Sequence, residues 1–169
     1  MMREIKFNSE DIIRETEEFI NSFKSVILGT VSKDGEIDVT YAPHFKIDGE
    51  HYIYMSEIGD HYTNLTENNQ KFEIMFLQEE KEALSIIARK RARFNVTAEF
   101  LPRDEKFEKI MDIFEENIGE TFKIIRKMED FHLVRLNVLD GRYVKGFGQA
   151  YLLKNGVASQ ITGDKKTHR

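Results

Sequence analysis

Ten residues, Arg91–Phe100, alternate strictly enough to dictate how this part of the chain folds. Ala92, Phe94, Val96, Ala98 and Phe100 fall on one side of an extended backbone, and Arg91, Arg93, Asn95, Thr97 and Glu99 fall on the other. Such a segment is a strand with one face in a core and one face in water, and it sets two arginines side by side. Pro102 ends it.

The rest of the chain organises around more strands of this kind. Ser9 is the expected cap of an opening helix, because Ile12, Thr16, Phe19, Ile20 and Phe23 recur at helical spacing. Residues 26–32 and 36–43 read as a hairpin turned by Lys33-Asp34-Gly35. Asp48-Gly49 repeats the device between strands at about 45–47 and 51–56. A short helix is expected at 60–67, a strand through Phe72, Ile74 and Phe76, and a loop or helix start in the charged stretch 78–82. Phe107, Ile110, Met111 and Phe114 mark the buried face of a helix starting near Asp104, followed by a helical turn at 121–127. Residues 131–138, an Asp140-Gly141 turn and residues 142–153 read as a final hairpin. Seven or so strands without regular strand-helix-strand alternation predict an α+β fold, a mostly antiparallel β-barrel with peripheral helices. One domain is expected over residues 1–153, with a tail over 154–169.

A chain of 169 residues, 40% apolar and with 13 Phe, suits one domain with a sizeable core. The net charge of -5 argues against nucleic acid as a partner, although the cationic runs at 89–93 and 165–169 can still take a small anionic ligand. The absence of Cys excludes disulfides, thiolate catalysis and iron-sulfur clusters, leaving His and carboxylate as metal ligands. Residues 1–8 lack the apolar core of a signal peptide, and no window approaches the roughly 20 apolar residues of a membrane span. The expected location is cytoplasmic.

Four features are candidates for a site. Gly146 and Gly148 interrupt the strand pattern of residues 143–151, which signals a bend or the close approach of a ligand or second backbone. The run Arg89-Lys90-Arg91-Ala92-Arg93 protects a sheet edge or clamps an anion; the forks of Arg91 and Arg93 suit a carboxylate or a phosphate. His61 follows a strand-to-helix junction at residues 56–60, where it either meets an anion or sits exposed with no role. His168, in the basic end of the chain, is either solvated or a neutral imidazole ligand to iron, and Asp130 is either a cap or the acceptor that orients that ring. His44, His51 and His132 have no metal-ligand spacing and are read as structural.

Taken in order, Tyr41-Ala42-Pro43, Ser56 with His61 and Asn64-Leu65, Ala88-Arg89-Lys90-Arg91, Glu129-Asp130-Phe131 and Val144-Lys145-Gly146-Phe147-Gly148-Gln149-Ala150 resemble the haem-utilisation proteins of the HugZ and HutZ type. The similarity spans residues 22–151 plus His168. It implies an FMN-binding split barrel of the pyridoxamine-phosphate-oxidase (PNPOx-like) kind, a homodimer with its ligand site between subunits, and haem bound and degraded oxidatively with electrons from an unidentified donor. On this resemblance His168 is the axial ligand and Asp130 hydrogen-bonds it. Arg91, with Arg93 and Lys145 nearby, contacts the propionates, and Gly146 and Gly148 let the porphyrin lie against backbone. Flavin-binding relatives usually have lysine where this chain has His61, so FMN is the alternative cofactor. A haem carrier or store is the alternative function without catalysis.

Overall fold

The computed structural model describes residues 6–68 and 71–162. Eight strands are present among them: β1 (Ser25–Val31), β2 (Ile37–Ile47), β3 (Glu50–Ser56), β4 (Phe72–Leu77), β5 (Arg91–Phe100), β6 (Phe131–Gly146), β7 (Gln149–Lys154) and β8 (Val157–Gln160). Four helices accompany them: α1 (Ser9–Asn21), α2 (Asp60–Glu67), α3 (Glu105–Ile118) and α4 (Glu120–Ile125). Every strand pairing is antiparallel, in the order β3-β2-β1-β4-β5-β6-β7-β8, and a further β3–β6 pairing closes six strands into a barrel. This is the expected α+β split barrel.

The length of β6 makes the split. Its first part pairs with β3 as far as Leu136 opposite His51, and its last part pairs with β7 from Gly141 opposite Leu153. Residues 137–140 have no strand partner on that side, so a gap opens between β3 and β7. The barrel interior is filled by Leu28, Ile53, Ile74, Phe76, Ala92, Phe94, Val96 and Val134. A second core lies outside the barrel, where α3 and α4 lay Phe107, Ile110, Met111, Phe114 and Phe122 on Tyr52, Tyr54 and Leu133. The spacing that predicted α3 does this work: Asp104 accepts from the Phe107 amide at 3.0 Å to start the helix, and the apolar stripe faces the sheet. Each of these large side chains stabilises the fold by about 1.5–3 kcal/mol on burial.

The structure corrects four readings. Asn8, not Ser9, caps α1, accepting from the amides of Glu10 and Asp11. The Ser9 hydroxyl accepts instead from the Ala158 amide at 2.8 Å, tying α1 to β8. β2 runs unbroken through Pro43, which pairs last with β1 (opposite Ser25) just before His44 takes up β3, so its missing donor falls between two ladders. Asp140-Gly141 is no turn: β6 continues through it, with a register shift against Asn95 and Val96. Gly141 is there because a Cβ would lie 2.4 Å from Phe94 Cδ1. The hairpin turn is Phe147-Gly148, closed by the Gly146–Gln149 pair, and Gly148 has φ +73°. A turn therefore accounts for that glycine without a ligand. Finally, the sheet does not stop at residue 153; β8 follows an Asn155-Gly156 turn and buries Ala158.

Candidate functional site

The barrel's outer face carries the predicted arginines on a continuous cross-strand surface. One row across the ladders reads Tyr41, Ile27, Met75, Arg93, Arg142 and Leu152; the next reads Leu77, Arg91, Val144 and Ala150. Ile37, Val39 and Tyr41 on β2 are each at least 70% exposed, and Leu84, Ile86 and Ile87 in the loop before β5 are as open. An apolar face of this extent edged by guanidinium groups is unusual for water-facing sheet. Sequence reasoning missed its apolar half. The signal was present as Ile37, Val39 and Tyr41 at a spacing of two, but alternation does not say which side is the core.

The cationic run divides by function. Arg89 spends its guanidinium on the Gln78 carbonyl (Nε 3.0 Å, Nη2 2.6 Å), which fixes the loop before β5. Arg93 lies 3.7 Å from Glu73 across the β4–β5 ladder. Arg91 is exposed and has no carboxylate partner among the described residues, only a 3.4 Å contact with the Arg89 carbonyl. Lys145 is bound to Glu15 of α1 at 3.1 Å. Arg91 is thus the arginine of the 89–93 run whose donors are open to an anion, Arg142 opposite Arg93 likewise has no carboxylate partner among the described residues, and Gly146 and Gly148 lie beside Arg91 at the β6–β7 hairpin.

Asp130 and His61 belong to a different cluster. Asp130 precedes β6, where its carbonyl accepts from the Glu57 amide at 2.8 Å. Glu57 bonds His132 at 2.7 Å, and the His132 ring stacks on Tyr62 of α2. His61, the second residue of α2, folds its ring back over Gly59, so closely that a Cβ there would meet its Cε1 at 2.2 Å. Burial lowers the pKa of His61, against a smaller opposing pull from Asp60. His132 bonds Glu57, and the buried His44 and His51 rings meet each other.

Within one chain these two clusters are far apart. Asp130 adjoins Phe131 at the start of β6, while Arg91 pairs with Val144 near its end, roughly 40 Å of strand away at about 3.3 Å per residue. The structure therefore brings Arg91 and Arg93 together beside Gly146 and Gly148, sets Lys145 apart from them on the α1 side with Lys90 and Tyr143, and places Asp130 and His61 separately. His168 lies outside the described residues. No group of three or more His, Asp or Glu suited to a metal ion occurs among the described residues.

The pyridoxamine 5'-phosphate oxidase family matches residues 12–145. A protein of Vibrio cholerae named heme oxygenase HutZ is 35% identical over 151 residues, covering 89% of this chain and 81% of its own length. The chain is a HutZ-type member of the pyridoxamine 5'-phosphate oxidase family. Among solved structures of this kind, Campylobacter jejuni ChuZ is 44% identical with a TM-score of 0.90, over 97% of this chain and 68% of that one. The structure of HutZ, described as the heme storage protein from Vibrio cholerae, is 32% identical with a TM-score of 0.69, over 74% of this chain and 88% of that one. HutZ is thus named both as an oxygenase and as a store, and the split barrel is common to these family members.

Proposed function

We propose that this chain binds haem between two copies of itself and degrades it oxidatively, releasing iron. The reading is carried by the 35% identity, across 89% of the chain, to a protein named heme oxygenase. Haem is a flat apolar molecule with two carboxylates, and the outer face pairs apolar side chains with a guanidinium that has no carboxylate partner among the described residues. The residues present fit that end of the ligand. Arg91 holds a propionate, with Arg93 beside it on the same face and partly engaged by Glu73, whereas Lys145 is turned to Glu15 on the α1 side.

The dimer follows from the distance between clusters. A single haem cannot span roughly 40 Å of β6, so a site using both Arg91 and Asp130 takes them from different chains. A second copy also covers Ile37, Val39 and Tyr41, which otherwise stand in water. His168 would hold the haem iron through one ring nitrogen, and Asp130 would accept from the other, fixing the tautomer and raising the basicity of the imidazole. His61 borders the Asp130 side. The bound haem supplies the redox chemistry and is itself consumed, with oxygen and an external electron donor as co-reactants. We place the protein in the cytoplasm; no described helix is long and apolar enough to cross a membrane.

Haem storage is the second reading, favoured by the description of the HutZ structure. One experiment decides: titrate haem into the protein, add ascorbate in air, and follow the Soret band together with ferrous iron trapped by a chelator. Loss of the band with stoichiometric iron release supports degradation; a stable band is storage. His168→Ala should shift the ferric spectrum while circular dichroism stays unchanged, and an unshifted spectrum removes His168 as the ligand. Flavin absorption in the protein as isolated would favour the FMN alternative that the family link allows.

A further inference from the structure

The gap between β3 and β7 leads to a second site, distinct from the outer face. A cavity of about 430 Å³ lies under α1, with Ile13 and Ile20 above, Leu136 and Val138 on β6, and His51 and Lys46 at one end. Its β6 wall runs from Arg135 to Val138, from the last residues paired with β3 into the stretch that has no strand partner on that side. Such a volume is in the range of small-molecule sites.

The polar end of the cavity is built by register. Lys46 and His51 are directly opposed on β2 and β3, and His44 lies two residues along the same inward face. Exposure rises outward along this series, from His44 at 1% to His51 at 7%, with the Lys46 side chain at 16%. His44 Nε2 and His51 Nδ1 are 2.9 Å apart. His44 Nδ1 is buried with no partner among the described residues. A bare Nδ1 lone pair costs less there than an orphaned N–H, so we assign the His44 proton to Nε2, which donates to His51. His51 must then carry its own proton on Nε2. That N–H has no acceptor among the described residues, and His51 lines the cavity. Beside it, Lys46 Nζ has three donors and one carboxylate, Glu17 of α1, at 2.9 Å.

We propose that this cavity binds a small monocarboxylate with an aliphatic body, its head on His51 Nε2–H and Lys46 Nζ and its chain between α1 and β6. An acceptor is what the two open donors require; Ile13, Ile20, Phe94, Leu136, Val138 and Leu153 give the chain apolar wall, and the two carboxylates in the lining, Glu17 and Glu50, are engaged by Lys46 and Arg135. Burial holds His44 down to about 3 and His51 to about 4, so both rings are neutral at pH 7, each with one N–H to donate.

Calorimetric titration of the full-length protein with octanoate tests this, with octanol and octylamine as comparisons. Octanoate should bind saturably at one site per chain. Octanol should bind at least tenfold more weakly, and octylamine should not compete. Lys46→Met should weaken octanoate at least tenfold, and Val138→Trp, which narrows the cavity from its half-exposed rim, should abolish binding with the fold intact by circular dichroism. No saturable binding at millimolar octanoate overturns the proposal, as do equal affinities for octanoate and octylamine or no effect of Val138→Trp. None of these readouts depends on haem.

Discussion

Lowering the pH from 7 to 5 should destabilise this protein chiefly through two residues. Burial is the largest cause of the depressed pKa values of His44, to about 3, and His51, to about 4; His51 adds to the effect on His44, and Lys46 adds to both. Glu17 of α1 opposes the shift of His51 without reversing it. Both folded values lie below the unfolded value of 6.5, so the unfolded chain takes up protons first as the pH falls. Stability that is fully present above about pH 6.5 is therefore lost progressively down to about pH 4. Linkage gives a loss of about 2 kcal/mol per histidine between pH 7 and pH 5, or about 4 kcal/mol for the pair, a large share of a typical total of 5–15 kcal/mol. Carboxylates titrate mostly below this window. His61 shifts in the same direction but is only half-buried, so it contributes less. Urea denaturation at pH 7, 6 and 5 measures the slope directly, and His51→Asn should remove about half of it. A wild-type midpoint constant over this range, or an identical slope in His51→Asn, would refute the reasoning.

Three further outcomes are expected. Gly141→Ala should cost about 1–3 kcal/mol in urea denaturation, because its Cβ would overlap Phe94 Cδ1; Phe94→Leu in the same chain should recover part of the loss, and a change below about 0.5 kcal/mol would show that the strand shifts freely. Arg91→Ala should weaken haem binding about 10-fold to 100-fold in a spectroscopic titration, and Arg93→Ala less, since Glu73 already engages it; equal affinity for wild type and Arg91→Ala would leave the run as edge protection. Wild type should sediment as a dimer at micromolar concentration and Tyr41→Glu as a monomer, because a charge at a 70%-exposed position on the apolar face costs nothing until a partner covers it; a monomeric wild type would sink the intersubunit site.

Part of the site was readable in the chain and part was not. The outward placement of Arg91 and Arg93 needed only the alternation of β5, and the structure keeps both on the exposed side. Their unequal availability did not show, because Glu73 reaches Arg93 only through the β4–β5 register, and the Gln78 carbonyl takes Arg89 from 11 residues upstream. Lys145 looked like a free cation in sequence, yet Glu15 binds it from 130 residues away. Charge can be counted along a chain, but its neutralisation is a matter of distance in space.

Local chemistry is what the chain settled by itself. The period-two strand β5, the α3 stripe with Asp104 ahead of it, and the Asp48-Gly49 turn, both residues at positive φ, each depend on neighbours within a few positions. Tertiary structure decided everything that compares distant residues. Asp140-Gly141 reads as a turn and Gly146 to Gly148 as an interrupted strand, yet Phe94 across the ladder makes the first a packing contact and the Gly146–Gln149 pair makes the second the turn. The same holds for the outward stripe of Ile37, Val39 and Tyr41 and for the His44–His51 contact, which the β2–β3 register creates. Turn and strand preferences are energies of one segment, whereas closing β6 onto both β3 and β7 is an energy of the whole sheet, and that closure determines which faces are buried and which remain open to a ligand.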